Sequence, residues 1–105
     1  MDEQEFNRAA DAQLARIEAA LEIASAADDS GFDFETKPGG VIEIECDNGS
    51  KIIINRHAAA REIWLAARSG GFHFRPEGTA DAIRWVGTRD GEELMVALAR
   101  VLAEQ

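Results

Sequence analysis

"ECDNGSKIIINRHAAAREIWLAA", residues 45–67, holds an Asn-Gly pair, three consecutive isoleucines, then Asn, Arg and His, and a Trp seven residues after the His. Runs of β-branched residues favour strands, and Asn-Gly favours the positive φ angles of a two-residue hairpin turn. The stretch therefore reads as a hairpin whose second strand is "KIIINR", with "EIWLA" as the strand that follows. Alternation sends Ile52 and Ile54 to one face and Lys51, Ile53 and Asn55 to the other. An entirely polar outer face would be cheaper to hydrate. Instead Asn55, Arg56, His57 and Trp64 bracket this region, and Trp and Arg are the residue types that anchor partner surfaces. From spacing alone, a Trp64 buried in the core with Asn55 merely ending a strand is equally compatible.

Working outward, "FDFETK" and "VIEIEC" alternate in the same way around a Pro38-Gly39-Gly40 reversal. Phe32 and Phe34 share one face, and Asp33 and Glu35 the other; Ile42, Ile44 and Cys46 point inward, Glu43 and Glu45 outward. Downstream, Ala58–Arg61 is a connector, Gly70-Gly71 turns into a short strand "FHF", "PEGTAD" loops, and "AIRWV" puts Ile83 and Trp85 on one face. A helix is predicted over residues 3–25, where Phe6, Ala10, Leu14, Ile17, Leu21 and Ala24 form one apolar stripe. A last helix is predicted to start at Asp90 as its cap, with Glu93 completing a capping box and Leu94, Leu98, Val101 and Leu102 as its stripe. It is expected to stop near Gln105 with no tail folding back over the core. Helix, about six short strands and helix predict an α+β two-layer sandwich, with both helices on one face of an antiparallel sheet.

A chain of 105 residues is expected to form one domain over 1–105, burying roughly two thirds of its unfolded surface. No apolar run approaches ~18 residues, so no membrane span is expected. The amino terminus, "MDEQEFNRAADAQ", is acidic where export and transit signals are basic, and a cytoplasmic location is expected. Cys46 is the single cysteine, expected in the core, so any metal chemistry must use oxygen ligands.

The net charge of −9 is concentrated at the amino-terminal end. Residues 1–35 hold ten carboxylates against Arg8 and Arg16, whereas 36–105 hold ten acids against nine bases. Such a surface repels phosphate, which argues against nucleic acid, and it attracts cations or a basic protein patch. On the helix Asp11, Glu18 and Glu22 fall within about 40° of each other, a ridge beside the buried stripe. The bland alternative is a solvated face that keeps a small protein soluble.

Carboxylates are hard ligands suited to Fe, Mn, Mg or Ca and discriminate poorly among them. The chain has no calcium-loop pattern and no Glu-x-x-His pair, so binding is expected to be weak, salt-sensitive and on the surface. His57 and His73 lack partners at ligand spacing and read as strand residues. Ser50 and Ser69 lack a nearby base, and the glycines form no phosphate-binding pattern. Nothing here points to an enzyme.

"NGSKIIINR" (48–56), "IWLA" (63–66), "SGGFHF" (69–74) and "DGE" (90–92), in this order between two helices, resemble the frataxin family in its bacterial form, over about residues 3–104. The resemblance implies a frataxin-like fold and a non-enzymatic, iron-binding role in iron–sulfur cluster assembly as a regulator or iron donor. Its implied cargo is iron, as Fe(II) or Fe(III), weakly held; its implied partners are the cysteine desulfurase and the iron–sulfur scaffold protein. It implies a monomer in the absence of iron. By position the acidic ridge maps to Glu18, Glu22, Asp28, Asp29, Asp33 and Glu35, with Asp11 as an outlier. The partner face maps to Asn55, Arg56 and Trp64, with Glu62 nearby. Two departures stand out. Ile23 to Ala27 interrupt a stretch that is denser in aspartate in bacterial relatives, which implies weaker or fewer iron sites. Glu62 stands where frataxins often have Gln. The alternatives are an iron-oxidising and storage protein that oligomerises with iron, and an acidic interaction domain with no metal role.

Overall fold

The structure is a computed structural model that describes residues 1–79 and 82–105. Helix α1 (Glu3–Ser25) opens on a capping box: Asp2 Oδ1 accepts from the Glu5 backbone N–H at 2.8 Å, and Glu5 accepts from that of Asp2. Such a cap satisfies backbone donors that the first turn leaves free, worth about 1 kcal/mol. The helix buries Phe6, Ala10, Leu14, Ile17 and Leu21 along the predicted stripe, whereas Ala24, placed on the same stripe, is exposed in the last turn.

Six strands follow: β1 (Phe32–Lys37), β2 (Val41–Cys46), β3 (Lys51–His57), β4 (Glu62–Ala67), β5 (Gly70–Glu77) and β6 (Arg84–Gly87). They pair in sequence order, every pair antiparallel, and helix α2 (Leu94–Ala103) closes the chain. Both helices pack against the six-stranded antiparallel sheet, as the element order predicts. Ile42, Ile44, Ile52, Ile54, Ile63, Leu65, Phe74 and Trp85 are each at most 2% exposed, so this parity is the helix-covered face. Ala97, Leu98 and Val101 pack from α2, and Phe6 of α1 meets Trp85 edge-on with ring centroids 5.9 Å apart. That geometry sets the positive ring edge against the negative ring face. Cys46 is buried and free, as expected.

Four local expectations are corrected. The turn at Asn48-Gly49 is not a two-residue turn: Cys46 pairs with Ser50 across a three-residue loop, and of those residues Gly49 alone has positive φ, +88°. Asn48 uses its side chain instead, accepting from the Ser50 backbone N–H at 2.9 Å and its hydroxyl at 2.7 Å. The "FHF" strand is longer than expected, because Arg75, Pro76 and Glu77 also pair with β6. Pro76 is tolerated there near the strand's end, where a missing N–H costs little. Ile83 precedes β6 and packs half-buried against the core. Of the loop expected at 76–81, Ala80 and Asp81 lie outside the described residues.

The last helix starts at Leu94, and Asp90 is not its cap. Glu93 forms a bridge with Val86, and Gly87 donates its N–H to Glu92 O at 2.8 Å. This pairing holds residues 92–93 extended, and Asp90 Oδ1 accepts from the Glu92 N–H within the turn instead. Tertiary pairing here overrides a good local capping signal.

Gln13 is the exception inside the core. It is 3% exposed, and its Nε2 is the buried side-chain polar atom left unpaired among the described residues. A buried donor without an acceptor costs about 1–3 kcal/mol. Gln13→Met, close in volume and free of that donor, is expected to stabilise the fold by about 1 kcal/mol. The denaturant midpoint should rise at unchanged m-value; a fall would mean that the amide is paired in solution.

Candidate functional site

The seven carboxylates proposed as metal ligands are all exposed. Asp11, Glu18 and Glu22 lie on α1 and span roughly 16 Å along its axis. Asp28 and Asp29 sit in the turn after it, and Asp33 and Glu35 on β1. Asp11 stands apart because its carboxylate pairs with the Arg56 guanidinium, which leaves it the least available to a cation. Among the described residues, no group of three or more His, Cys, Asp or Glu side chains is placed to hold a metal ion. The ridge is thus a line of separate carboxylates and not a cage.

The ridge extends onto residues the sequence reading passed over. Asp33 stands opposite Glu45, and Glu35 opposite Glu43, in the β1–β2 register. Together with Phe34 these four line a shallow depression of about 200 Å³. Outward alternation of "VIEIEC" and the reversal at Pro38–Gly40 contained that signal, but it needed the register to be read.

Like charges directly opposite destabilise a strand pair, and two lysines offset them. Lys37 Nζ lies 2.6 Å from Glu43, and Lys51 Nζ lies 3.2 Å from it. Hydrogen bonds from Lys37, then from Lys51, hold the Glu43 carboxyl below the usual carboxylate range, and Glu43 raises the Lys37 ammonium. Because Glu43 is lowered in the folded chain, its stabilisation is complete above the ordinary range and is lost as pH falls through the lowered value. Lys37 has the opposite sign: its contribution is present below the ordinary lysine value and fades as pH rises past the raised one.

The open face carries the other set. Asn55 stands opposite Trp64, His57 opposite Glu62, and Trp64 opposite His73. All five share the parity turned away from the helices. Trp64 is half-buried and outside the core cluster. It is sandwiched, with the His57 ring at 3.8 Å on one face and the His73 ring at 4.3 Å on the other, all within 13° of parallel. Glu62 accepts from the indole N–H at 2.7 Å and approaches His73 Nδ1 at 3.6 Å. His57 and His73, which spacing alone made isolated strand residues, are therefore built into one stack with Trp64 on the open face.

Arg56 does not belong to this face. Its register partner is Ile63, fully buried beneath the helices, and its side chain turns to Asp11 on α1. Reading Asn55, Arg56 and His57 as one patch overlooked that adjacent strand residues point opposite ways. A Cβ at Gly40 would come within 3.0 Å of the Arg56 side chain, so Gly40 makes room for this clasp.

A family profile described as a frataxin-like domain matches residues 1–105. The chain belongs to the frataxin-like family. It is 53% identical over 105 residues to the iron-sulfur cluster assembly protein CyaY of Dechloromonas aromatica, covering 100% of this chain and 92% of that one. Identity to the CyaY of Janthinobacterium sp. is 50% over 107 residues, covering 100% and 90%. Among solved structures, frataxin from Psychromonas ingrahamii matches with a TM-score of 0.82 at 27% identity, covering 100% of this chain and 91% of that one. No helix of this frataxin-like chain is long and apolar enough to cross a membrane among the described residues.

The Lys37–Glu43–Lys51 arrangement can be checked by acid titration of stability. Glu43→Gln should lower stability at neutral pH, and the difference from the native protein should close as pH falls through the lowered Glu43 value. Parallel acid limbs would mean that Glu43 is not held by the two lysines.

Proposed function

We propose that this chain is a non-enzymatic, iron-binding protein that takes part in iron–sulfur cluster assembly and regulates it. In this reading it docks on the cysteine desulfurase–scaffold complex through the acidic ridge and delivers iron there. The observation that carries the reading is the exposure of Glu18, Glu22, Asp28, Asp29, Asp33 and Glu35 along α1, the turn after it and β1, in a family whose CyaY members are named for cluster assembly.

The chemistry follows from exposure. A carboxylate in water replaces few of a cation's waters, so each contact is weak, and summed charge does the work of concentrating ions near the surface. Weak holding suits a carrier, which must release what it collects. The same field steers a basic patch of a protein partner toward the ridge. Oxidation and storage of iron would need ligands converging on shared ions. The separate carboxylates favour the carrier and regulator reading instead.

Anaerobic NMR titration with Fe(II), with Mg(II) as competitor, tests the metal role. Fast-exchange losses are expected over residues 18–35, with Trp64 unmoved. Charge reversal at Glu18, Glu22 and Asp33 should abolish them and weaken docking on the desulfurase complex by about tenfold at low salt. Unchanged spectra at millimolar Fe(II) would remove the metal role; docking that survives the reversal would remove the ridge as the contact.

A further inference from the structure

The sheet has two outer edges, and the chain closes one of them itself. At β6, Glu93 bridges Val86, and Gly87 donates its N–H to Glu92 O at 2.8 Å. β1 is the other edge, and among the described residues no strand pairs with its outer side. Its residues run in unbroken register with β2, with no bulge to turn the edge away.

The ladder pattern fixes which backbone groups are left over. Asp47 donates its N–H to Gly31 O at 2.8 Å, and that pair lies one step before Phe32–Cys46 in the same register. Antiparallel partners alternate between hydrogen-bonded and non-hydrogen-bonded pairs. Asp33 and Glu35 therefore bond to β2, whereas Phe32, Phe34 and Thr36 turn their N–H and C=O groups outward. In keeping with this, the Ser30 hydroxyl donates to Phe32 O at 3.3 Å. The backbone groups of Phe34 and Thr36 remain as an open template.

Side chains on this edge specify what fits it. Asp33 and Glu35 point to the open face with Glu45 and Glu43 beside them. The nearby lysines serve Glu43 and, at 3.7 Å, Glu35. Phe34 points the other way and packs half-buried against the core. A second copy of β1 laid on this edge would set like charges against each other. A strand with basic residues opposite Asp33 and Glu35, and an apolar residue opposite Phe34, complements all three. The two charged positions are the non-hydrogen-bonded ones, where facing side chains come closest.

We infer that β1 accepts a seventh strand, an extended basic segment of the assembly partner that pairs antiparallel with the backbone of Phe34 and Thr36. The inference rests on the acidic ridge being the contact for the desulfurase–scaffold complex, and it gives that contact a backbone component. Charge attracts the segment, and the strand edge sets its register.

Amide hydrogen exchange of the chain, free and saturated with the purified desulfurase–scaffold complex, tests this. In the free chain Phe34 and Thr36 should exchange fast, and Asp33 and Glu35 slowly. Binding should slow Phe34 and Thr36 by about tenfold or more. Thr36→Pro keeps every charge and removes an outward donor that β2 does not use, so it should weaken binding about tenfold. Slow exchange at Asp33 and Glu35 in the free variant verifies that its β1 still pairs. Unchanged exchange at Phe34 and Thr36 in the native complex overturns the inference, whether or not the variant folds. So does protection there combined with a folded Thr36→Pro that binds normally, since the edge is then covered without being paired. Protection that arises on concentrating the free chain alone assigns the edge to a second copy and overturns the basic partner. In each of these cases, weaker docking after charge reversal at Glu18 and Glu22 leaves the ridge reading standing. Docking that survives that reversal, with no protection on β1, removes both.

Discussion

The two-residue period of β2, β3 and β4 is the constraint on which everything else depends. Ile42, Ile44, Ile52, Ile54, Ile63 and Leu65 lie under the helices at no more than 2% exposure, and every residue between them faces away. A slip of one position in any strand pair would exchange the faces, burying Glu43 or Trp64 and exposing isoleucine. The apolar core thereby fixes the chemistry of the opposite surface. His57, Trp64 and His73 can stack because three strands are held in register by residues on the other side of the sheet.

That surface is expensive to assemble. Pairing Asp33 with Glu45 and Glu35 with Glu43 sets like charges across one ladder, and the lysines at positions 37 and 51 converge on a single glutamate of the four. Lys37 also approaches Glu35 at 3.7 Å, which leaves Asp33 on the edge strand and Glu45 beside it without an ion pair among the described residues. A neutral edge would be more stable, and an uncompensated charged one resists pairing with a second chain. Arg56 applies the opposite treatment at α1: it reaches from β3 to Asp11, tying the helix to the sheet and drawing one carboxylate out of the ridge. The acidic surface available to a cation or a basic patch is therefore the part running from Glu18 through the turn to β1 and β2.

Much of this was legible in residue order. α1 was readable to both ends because stripe, propensity and breakers agree, and the alternation of "VIEIEC" and "KIIINR" gave the inward set residue by residue. The failures share one cause, a local signal answered by a distant partner. Asp90 looks like a helix cap until Glu93 is seen bridged to Val86. Arg56 looks like part of the open face until its parity and its Asp11 partner are known. The histidines look isolated because they lie on β3 and β5, with Trp64 between them on β4, and spacing along one strand cannot bring them together. Nothing in the chain marks Gln13 as buried polar except its place on the helical stripe next to Leu14.

The two surfaces differ in how firmly their groups are held. Glu18, Glu22, Asp28 and Asp29 project into water with free rotamers, so binding an ion there orders long side chains for weak contacts, and exchange is fast. Trp64 is fixed on both faces and at its nitrogen, so a protein that meets it finds a surface already ordered. Loose carboxylates suit cargo that must be passed on, and a locked stack suits a contact whose register matters. Glu62 joins the two demands, since its carboxylate stays on the open face while orienting the indole. A Gln there could accept the same indole bond but would remove the negative charge near His73. The position therefore tunes the charge beside His73 without removing the acceptor that orients the indole.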